Sequence, residues 1–431
     1  MSSSHAPAAR GRGARAALIL AALAPLSLVA QQPATVPADH PAVKAALAAI
    51  QRDNAWTLEQ QVSICEIPAP PFKEEKRGLE MKRRFEALGL PVAIDSIGNV
   101  IATRKGTGNG PTVAIAGHLD TVFPEGTNVA VKKEGTKMTA PGIGDDCRGL
   151  ATILAVARAM QDAKIQTPGT ILFIANVGEE GPGNLRGMRY LFRKPPQKID
   201  YFISVDGTGL GLTTGGVGSH RYLIQYTGPG GHSYGAFGMA NPIHAMGRAI
   251  AKISEFRVPK EPKTTFNVGI VSGGTSVNTI SPLGAMEVDM RSESPVELAK
   301  VDAKFKTALA EALREENARW PGARDTVSLK ITDMGVRPAA QVNDTSFIAR
   351  TALAAGKTLG FTAPTGASST DSNIPMSLGI PAITIDGGGE GKGAHSITES
   401  YDDGKEGFKG PQWALLIVSA LTGLGRATYT P

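Results

Sequence analysis

Five short segments of the sequence carry side chains that can bind a metal ion or move a proton, and each segment contains glycine. Imidazole and carboxylate groups are the usual protein ligands of Zn²⁺ and related ions, and one carboxylate can bridge two ions. We therefore expect a hydrolase site that binds two metal ions and activates water. The candidate residues are His118, Asp120, Asp145, Glu179, Glu180, Asp206 and His395.

Three of these segments follow short apolar runs, at residues 113–116, 171–175 and 202–205. Continuous apolar runs of this length are typical of strands that are covered on both faces of an α/β sheet. In such sheets, ligands bind beyond the carboxyl ends of the strands. The runs therefore predict that the three segments meet at one edge of a sheet.

His118 and Asp120 are two residues apart at the end of the first predicted strand, so both side chains are expected on one face. A carboxylate in that position can accept the second ring N–H of the imidazole and orient it toward a metal ion. Alternatively, Asp120 could be a solvated residue that caps a turn.

Two pairs of adjacent acidic residues are candidates for a bridging ligand and a base. Asp145 and Asp146 lie in a glycine-supported turn before a helical pattern. Asp145 is the better ligand candidate, because Asp146 could simply cap that helix. Glu179 and Glu180 follow a predicted strand, where neighbouring carboxylates repel unless metal ions or protons neutralise them. One of them can bind metal while the other acts as the general base.

Alternation of strand and helix patterns over residues 41–214, and again over 336–431, predicts an α/β domain with a mostly parallel sheet flanked by helices. Residues 215–335 instead show the order strand, helix, two strands, helix and strand, which is the ferredoxin-like α+β pattern. We therefore predict an α/β domain in two parts, interrupted by an inserted domain. Within these limits, residues 41–67 are predicted to form one helix, and Ser294 is predicted to cap another.

Seven motifs occur in one order between about residues 45 and 425: GHLDTV, GDD-x-x-G, GEEG, SVDG, GGHS, EVDMR and AHS-x-x-E. This ordered set resembles the co-catalytic dizinc exopeptidase family that includes aminoacylase, glutamate carboxypeptidase, succinyl-diaminopimelate desuccinylase, carnosinase and peptidase T. The stretch SSTDSNIPMSLGIPAITIDGGG resembles the peptidase T-like branch more than the aminoacylase branch.

The resemblance implies a metal centre with two Zn²⁺ ions per subunit, although the ligand types also allow Co²⁺ or Mn²⁺. It implies that Glu179 is the catalytic base and that Asp120 supports His118. The implied ligands are His118, Asp145 and Asp206 for one ion, and Asp145, Glu180 and His395 for the other.

The resemblance also gives the insert a role, as a lid and dimerisation domain of a homodimer. His232 matches a histidine that reaches the partner's site and stabilises an oxyanion, and Asn278 matches a polar group near that oxyanion. Arg291 matches an arginine that pairs with a substrate carboxylate. A turn histidine without function is the alternative for His232, and a structural salt-bridged arginine is the alternative for Arg291.

The composition is that of an ordinary soluble globular protein, and 431 residues are enough for two domains. Residues 1–30 differ, because three arginines precede an apolar stretch that ends in small residues. This pattern predicts a secretory signal, and therefore an exported protein that is periplasmic or secreted. After removal of the signal, no membrane contact is expected. The alternative is that the segment stays in place as a membrane anchor. Without residues 1–30 the formal charge falls from +6 to +3, because the segment contains three Arg and no Lys, Asp or Glu. No nucleic-acid partner is therefore expected.

Only two cysteines are present, Cys65 and Cys147. Their number excludes a disulfide framework and a zinc site built from cysteines. Both flank loops that are expected to border the cleft, and the sequence leaves open whether they pair.

Together these features predict a zinc-dependent exopeptidase or amidohydrolase that cleaves an amide bond of small peptides with metal-activated water. Two alternatives stay open. One is an N-acyl amino acid deacylase that uses the same machinery on a non-peptide amide. The other is a metal-bound binding protein without turnover, although an inactive protein has no chemical need for the extra carboxylate of Glu179.

Overall fold

A computed structural model of the chain describes residue 1 and residues 35–322 and 326–425. Apart from its first residue, the predicted signal segment 1–30 therefore lies outside the described residues. Among the described helices, none has both the length and the apolar character needed to cross a membrane.

The described chain alternates between helices and strands. The helices are α1 (Pro41–Arg52), α2 (Asn54–Cys65), α3 (Glu75–Ala87), α4 (Cys147–Asp162), α5 (Arg186–Arg193), α6 (Pro242–Ser254), α7 (Pro295–Ala318), α8 (Phe347–Thr358), α9 (Asn373–Ser377) and α10 (Lys409–Leu421). The strands are β1 (Val92–Ile94), β2 (Val100–Arg104), β3 (Gly110–His118), β4 (Lys132–Glu134), β5 (Lys137–Thr139), β6 (Gly169–Asn176), β7 (Tyr201–Val205), β8 (Leu212–Gly216), β9 (Gly218–Thr227), β10 (Gly231–His232), β11 (Thr264–Gly273), β12 (Thr279–Ile280), β13 (Leu283–Ser292), β14 (Ser328–Arg337), β15 (Thr365–Ser368), β16 (Ala382–Ile385), β17 (Glu390–Lys392) and β18 (Ser400–Asp402).

The largest sheet has eight strands in the order β1-β2-β6-β3-β7-β16-β8-β15. Its central strands β6, β3, β7 and β16 are parallel, as the continuous apolar runs predict. Helices cover both faces: Val113 and Ile115 of β3 belong to the core beneath α1, α4, α8 and α10, while Ala114 and Ala116 pack with residues of α5 and α9. The predicted α/β sheet is confirmed.

The insert is a four-stranded antiparallel sheet in the order β11-β13-β9-β14, with α6 and α7 packed on one face. The predicted ferredoxin-like pattern is therefore confirmed, while the boundaries at residues 215 and 335 stay predictions. Alternate residues of β9 and β13 point toward the two helices, which leaves the intervening residues on the helix-free face. The core residues from these strands are Tyr222, Ile224, Tyr226, Met286, Val288 and Met290.

Two details of helix prediction have different outcomes. The single helix predicted over residues 41–67 is wrong, because α1 ends at Arg52 and α2 begins at Asn54. Asp53, between them, has φ of −97° and ψ of 21°, and Asp and Asn both have low helix propensity. The cap at Ser294 is confirmed, since its side chain accepts the N–H of Glu297 at the start of α7.

Candidate active site

The predicted metal-binding segments meet at the carboxyl edge of the large sheet. His118 is the last residue of β3, Asp206 directly follows β7, and Glu179 and Glu180 lie three and four residues after β6. These strands are neighbours, so the sheet brings together residues that are far apart in the sequence. One cavity of about 570 Å³ is lined by Glu179, Glu180 and Asp206 together with Asp145 and His395. His118 is buried behind its wall, in contact with Asp145.

Two groups of side chains share the carboxylate of Asp145. In the first group, His118 Nε2 lies 2.9 Å from Asp145 Oδ1 and 4.0 Å from Asp206 Oδ1. In the second group, His395 Nε2 lies 3.2 Å from Asp145 Oδ2 and 2.9 Å from Glu180 Oε1. Each oxygen of Asp145 therefore faces a different imidazole, as a bridging carboxylate requires.

These separations fit two metal ions, although the structure contains none. Two ligand atoms that each lie about 2.1 Å from one ion can be no more than roughly 4.2 Å apart. Both groups satisfy this limit for each distance given above. A third group, His118 with Glu179 and Glu180, also has its ligand atoms within 4.8 Å of one another. Glu179 therefore lies close enough to His118 and Glu180 to bind a metal ion as well as to act as a base.

Crowded carboxylates raise the pKa of both imidazoles. Hydrogen bonds with Asp145 and Glu180 raise the pKa of His395 to about 10. Burial acts to lower the pKa of His118, but the hydrogen bond with Asp145 and nearby negative charges outweigh it and raise the pKa well above its usual value. Burial and repulsion by Asp145 raise the pKa of Asp206. The site has a surplus of negative charge, which protons or metal cations can neutralise.

Asp120 is placed differently from the prediction. His118 Nδ1 lies 3.0 Å from the main-chain oxygen of Asp120, whereas the nearest carboxylate oxygen, Oδ1, is 3.8 Å away. The carboxylate instead accepts the main-chain N–H groups of Glu179 at 3.0 Å and Glu180 at 2.8 Å. Asp120 therefore supports the imidazole through its backbone and fixes the Glu179–Glu180 turn through its side chain.

The Asp145 loop is held by Glu399, a residue to which the sequence analysis gave no role. One oxygen of Glu399 accepts the N–H groups of Gly144 and Asp145, and the other accepts that of Gly142. Glu399 ends the AHS-x-x-E motif, so the sequence did contain a signal for it. Asp146 caps α4 by accepting the N–H of Gly149 and also accepts the N–H of His118.

Glu179 has a cationic partner that no motif indicated. Arg337, the last residue of β14, places Nη1 2.8 Å from Glu179 Oε1 and donates from Nη2 to the main-chain oxygen of Glu179. Both side chains are buried. Burial raises the pKa of Glu179, and the charge of Arg337 opposes that rise. Nη1 also donates to Ser369 at 3.1 Å, so Arg337 links the insert's last strand to the catalytic sheet's loops.

Arg291 lies on the wall of the cavity that the helix-free face of the insert sheet forms. Its Nε donates to Asp289 Oδ2 at 2.9 Å, and Nε of Arg221 donates to Asp289 Oδ1 at 2.9 Å. One carboxylate thus organises two guanidinium groups. The structural ion pair and a position facing the cleft therefore coexist for Arg291.

His232 and Asn278 do not line this cavity within the described chain. His232 pairs with Thr279 in the β10–β12 ladder, and the main-chain oxygen of Asn278 accepts the N–H of Ser233. Nδ1 of His232 accepts the N–H groups of Tyr234 and Gly235 at 3.3 and 3.2 Å. A neutral imidazole that accepts at Nδ1 carries its proton on Nε2, so this exposed ring presents an N–H donor.

Cys65 and Cys147 are both buried and free. They belong to one small apolar cluster beneath the Asp145 loop, together with Met138, Ile143 and Tyr401. The cysteines therefore contribute packing under the metal-binding loop.

Comparison with known proteins places this site in a family. A family model described as Peptidase family M20/M25/M40 matches residues 114–409. Uncharacterized protein YqjE of Bacillus subtilis (strain 168) is 26% identical over 350 residues, which are 76% of this chain and 89% of that protein. Acetylornithine deacetylase of Vibrio atlanticus (strain LGP32) is 28% identical over 274 residues, which are 59% of this chain and 70% of that protein.

The same architecture occurs in a solved structure, aminopeptidase PepT from Bacillus cereus ATCC 10987. The TM-score is 0.70 at 21% sequence identity, and the match covers 85% of this chain and 98% of that chain. At this identity the likeness establishes the fold.

Proposed function

Because the chain belongs to peptidase family M20/M25/M40, we propose that this hydrolase of peptide or amide bonds is a dizinc exopeptidase that acts on small peptides. The observation that carries the proposal is the bridging geometry of Asp145, whose two oxygens face His118 and His395 beside the buried carboxylate of Glu179. Family membership favours the hydrolase over a metal-bound binding protein without turnover.

The residues around Asp145 would have two roles in amide hydrolysis, metal binding and proton transfer. His118, Asp145 and Asp206 would hold one ion, and Asp145, Glu180 and His395 the other. When bound, the ions would supply an acidified water and polarise the substrate carbonyl. Glu179 would accept a proton from the attacking water on its carboxylate and pass it to the leaving amine nitrogen.

The second candidate is an N-acyl amino acid deacylase, and the similarity to acetylornithine deacetylase favours it. Both reactions attack an amide carbonyl and release an amine, so the same base and ligands serve either. The difference lies in the group attached to the carbonyl. A peptidase must accommodate an amino acid residue there, and a deacylase must accommodate a simple acyl group.

The proposal includes a homodimer and export from the cell. The dimer is supported by His232, whose Nε2–H lies outside the cavity of its own chain and is suited to an oxyanion in a partner's site. Arg291 would bind a substrate carboxylate, and Asn278 would assist the oxyanion. Export rests on the pattern of residues 1–30.

The experiment is hydrolysis by purified protein that is first stripped of metal with a chelator and then assayed with and without added Zn²⁺. The substrates are mixed dipeptides and N-acyl amino acids, and the Glu179→Gln variant is the negative control. We expect amide hydrolysis that returns with Zn²⁺ and favours the dipeptides. A preference for N-acyl amino acids would select the deacylase, and no hydrolysis of either class would reject the proposal.

A further inference from the structure

Asp386 is a carboxylate in the catalytic cavity that has no place in the metal groups. It directly follows β16, whose last residue Ile385 is the register partner of Val205 in β7. The N–H of Asp206 donates to the main-chain oxygen of Ile385. Asp386 and the metal-ligand candidate Asp206 therefore follow adjacent strands at the same edge of the sheet, where neighbouring backbones are roughly 5 Å apart.

The side chain of Asp386 uses only part of its capacity as an acceptor. Oδ2 accepts the N–H of Gly211 at 2.6 Å, which fixes the carboxylate against the start of β8. Oδ1 has no hydrogen-bond or ion-pair partner among the residues that the structure describes. Burial raises the pKa of Asp386 to about 6, so the group is still mainly ionised at neutral pH. An ionised, half-buried carboxylate that faces a cavity is suited to a cation from the ligand.

The guanidinium groups of Arg221 and Arg291 lie on another wall of the same cavity. Each donates to Asp289 only through Nε, so the Nη edges of both have no partner among the described residues. Arg221 and Arg291 carry two positive charges and Asp289 carries one negative charge, so this group has a net charge of +1. The cavity thus offers an anion from the catalytic sheet and a cationic pair from the insert sheet.

We propose that Asp386 binds the free α-ammonium group of the substrate, and that the substrates are short peptides with an unblocked N-terminus. This inference rests on the proposed hydrolase function and decides between its two candidates. The ammonium nitrogen of an N-terminal residue lies only about 2.5 Å from the carbonyl carbon of that residue. An ammonium site must therefore adjoin the metal-binding carboxylates, and Asp386 adjoins Asp206. An N-acyl substrate has no charge at this position.

The competing explanation is that Asp386 only holds the Gly211 loop. Asp386→Asn separates the two roles, because the amide oxygen can still accept the N–H of Gly211 while the negative charge is lost. The matched control is Glu390→Gln, which removes an exposed carboxylate four residues away that does not line the cavity.

The test compares alanyl-alanine with N-acetyl-alanyl-alanine, in which an acetyl group blocks the N-terminus and removes its positive charge; the variants separate the effect of the charge from that of the added group. Release of alanine is measured as kcat/KM with Zn²⁺-loaded wild type, Asp386→Asn and Glu390→Gln. Binding of the same two peptides to Glu179→Gln is measured by calorimetry. We expect wild type and Glu390→Gln to prefer the free peptide by roughly 10- to 150-fold, the range for a hydrogen bond to a charged group. Asp386→Asn should lose that preference, because its kcat/KM on the free peptide falls toward its kcat/KM on the acetylated peptide.

If wild type has the same kcat/KM for both peptides, the inference is wrong, whatever the variants show. A preference that survives in a folded Asp386→Asn protein also overturns it. If wild type cleaves neither peptide and Glu179→Gln binds neither, the proposed function fails and the inference falls with it, which is a different result from hydrolysis without discrimination.

Discussion

Arg337 holds Glu179 at two points: Nη1 lies 2.8 Å from the carboxylate oxygen Oε1, and Nη2 donates to the main-chain oxygen of the same residue. Both residues are buried, so the ion pair is shielded from solvent. A planar guanidinium can make two such contacts at fixed geometry, which an ammonium group cannot. The end of the insert's last strand therefore sets both the position and the charge environment of the proposed base.

Replacement of Arg337 is expected to change the pH dependence of activity. Burial raises the pKa of Glu179 and Arg337 opposes this, so Arg337→Ala should raise the pKa further. A base must be deprotonated to act, so the acidic limb of the kcat/KM profile should move to higher pH. Arg337→Lys keeps the positive charge, so its acidic limb should lie close to the pH of the wild-type limb. Its kcat/KM should still be lower than that of wild type, because the two-point contact with Glu179 is lost.

Arg189→Ala is the matched control for Arg337. Arg189 is exposed and donates to the main-chain oxygen of Val336, next to Arg337, without touching Glu179. Its loss should leave the profile as in wild type. An Arg337→Ala profile that coincides with that of wild type would show that the guanidinium does not govern the base.

A second prediction separates base from ligand at Glu179. Glu179→Gln should reduce turnover by roughly 10² to 10⁴-fold, because an amide cannot accept the proton. Metal content, measured by elemental analysis, should stay near that of wild type. A large loss of metal in this variant would make Glu179 a ligand, as its proximity to His118 and Glu180 permits.

A third prediction concerns the bridging role of Asp145. Asp145→Ala should lose most of both metals, because its two oxygens face the two different imidazoles. Asp206→Ala and Glu180→Ala should each weaken mainly one of the two metal positions. Metal-to-protein ratios after dialysis provide the measurement, and full occupancy in Asp145→Ala is the result that contradicts the assignment.

A fourth prediction is that metal uptake releases protons. In the metal-free protein the pKa of His395 is about 10 and that of His118 is well above its usual value, so both imidazoles are protonated at neutral pH. A metal ion can bind only the deprotonated ring. Calorimetric titration with Zn²⁺ in buffers of different ionisation enthalpy should therefore show net proton release at pH 7, from the two imidazoles and from Asp206, whose pKa is also raised. Uptake without proton release would exclude these histidines as ligands.

The same shifts give the metal-free protein a pH-dependent stability. The pKa of His395 is higher in the folded than in the unfolded chain, whose value is near 6.5. Proton binding thus stabilises the fold fully below pH 6.5, and this contribution is lost as the pH rises through about 10. Chelated protein should lose thermal stability over that range relative to metal-loaded protein, in which the ions replace the protons.

The strands that carry the site could be predicted because a strand that is buried on both faces is a continuous run of apolar residues in the sequence. The apolar runs 113–116 and 202–205 lie in β3 and β7, and the residues that follow them, His118 and Asp206, meet at the sheet edge. Parallel topology guarantees that such ends converge. Residue type and order were therefore enough to indicate which side chains come together.

The supporting contacts could not be predicted in the same way. Arg337 and Glu179 are 158 positions apart and meet only because β14 ends beside the turn after β6. Asp120 was expected to use its carboxylate on His118, but that carboxylate binds two main-chain N–H groups instead. Such choices depend on loop geometry at the level of single atoms, which neither periodicity nor motif spacing encodes.

The last prediction tests whether the insert completes the active site across a dimer. His232 lies outside the cavity of its own chain, and its Nδ1 is occupied by two main-chain N–H groups, which leaves Nε2–H as a donor. If it stabilises an oxyanion in the partner's site, His232→Ala should lower kcat by roughly 10² to 10³-fold with metals retained. Mixed dimers of His232→Ala and Glu179→Gln should then recover part of the activity, because one of their two sites combines an intact Glu179 with an intact His232. Homodimers of each variant, mixed without subunit exchange, provide the baseline. Verified mixed dimers without recovered activity would show that His232 acts within its own chain or has no role in the reaction.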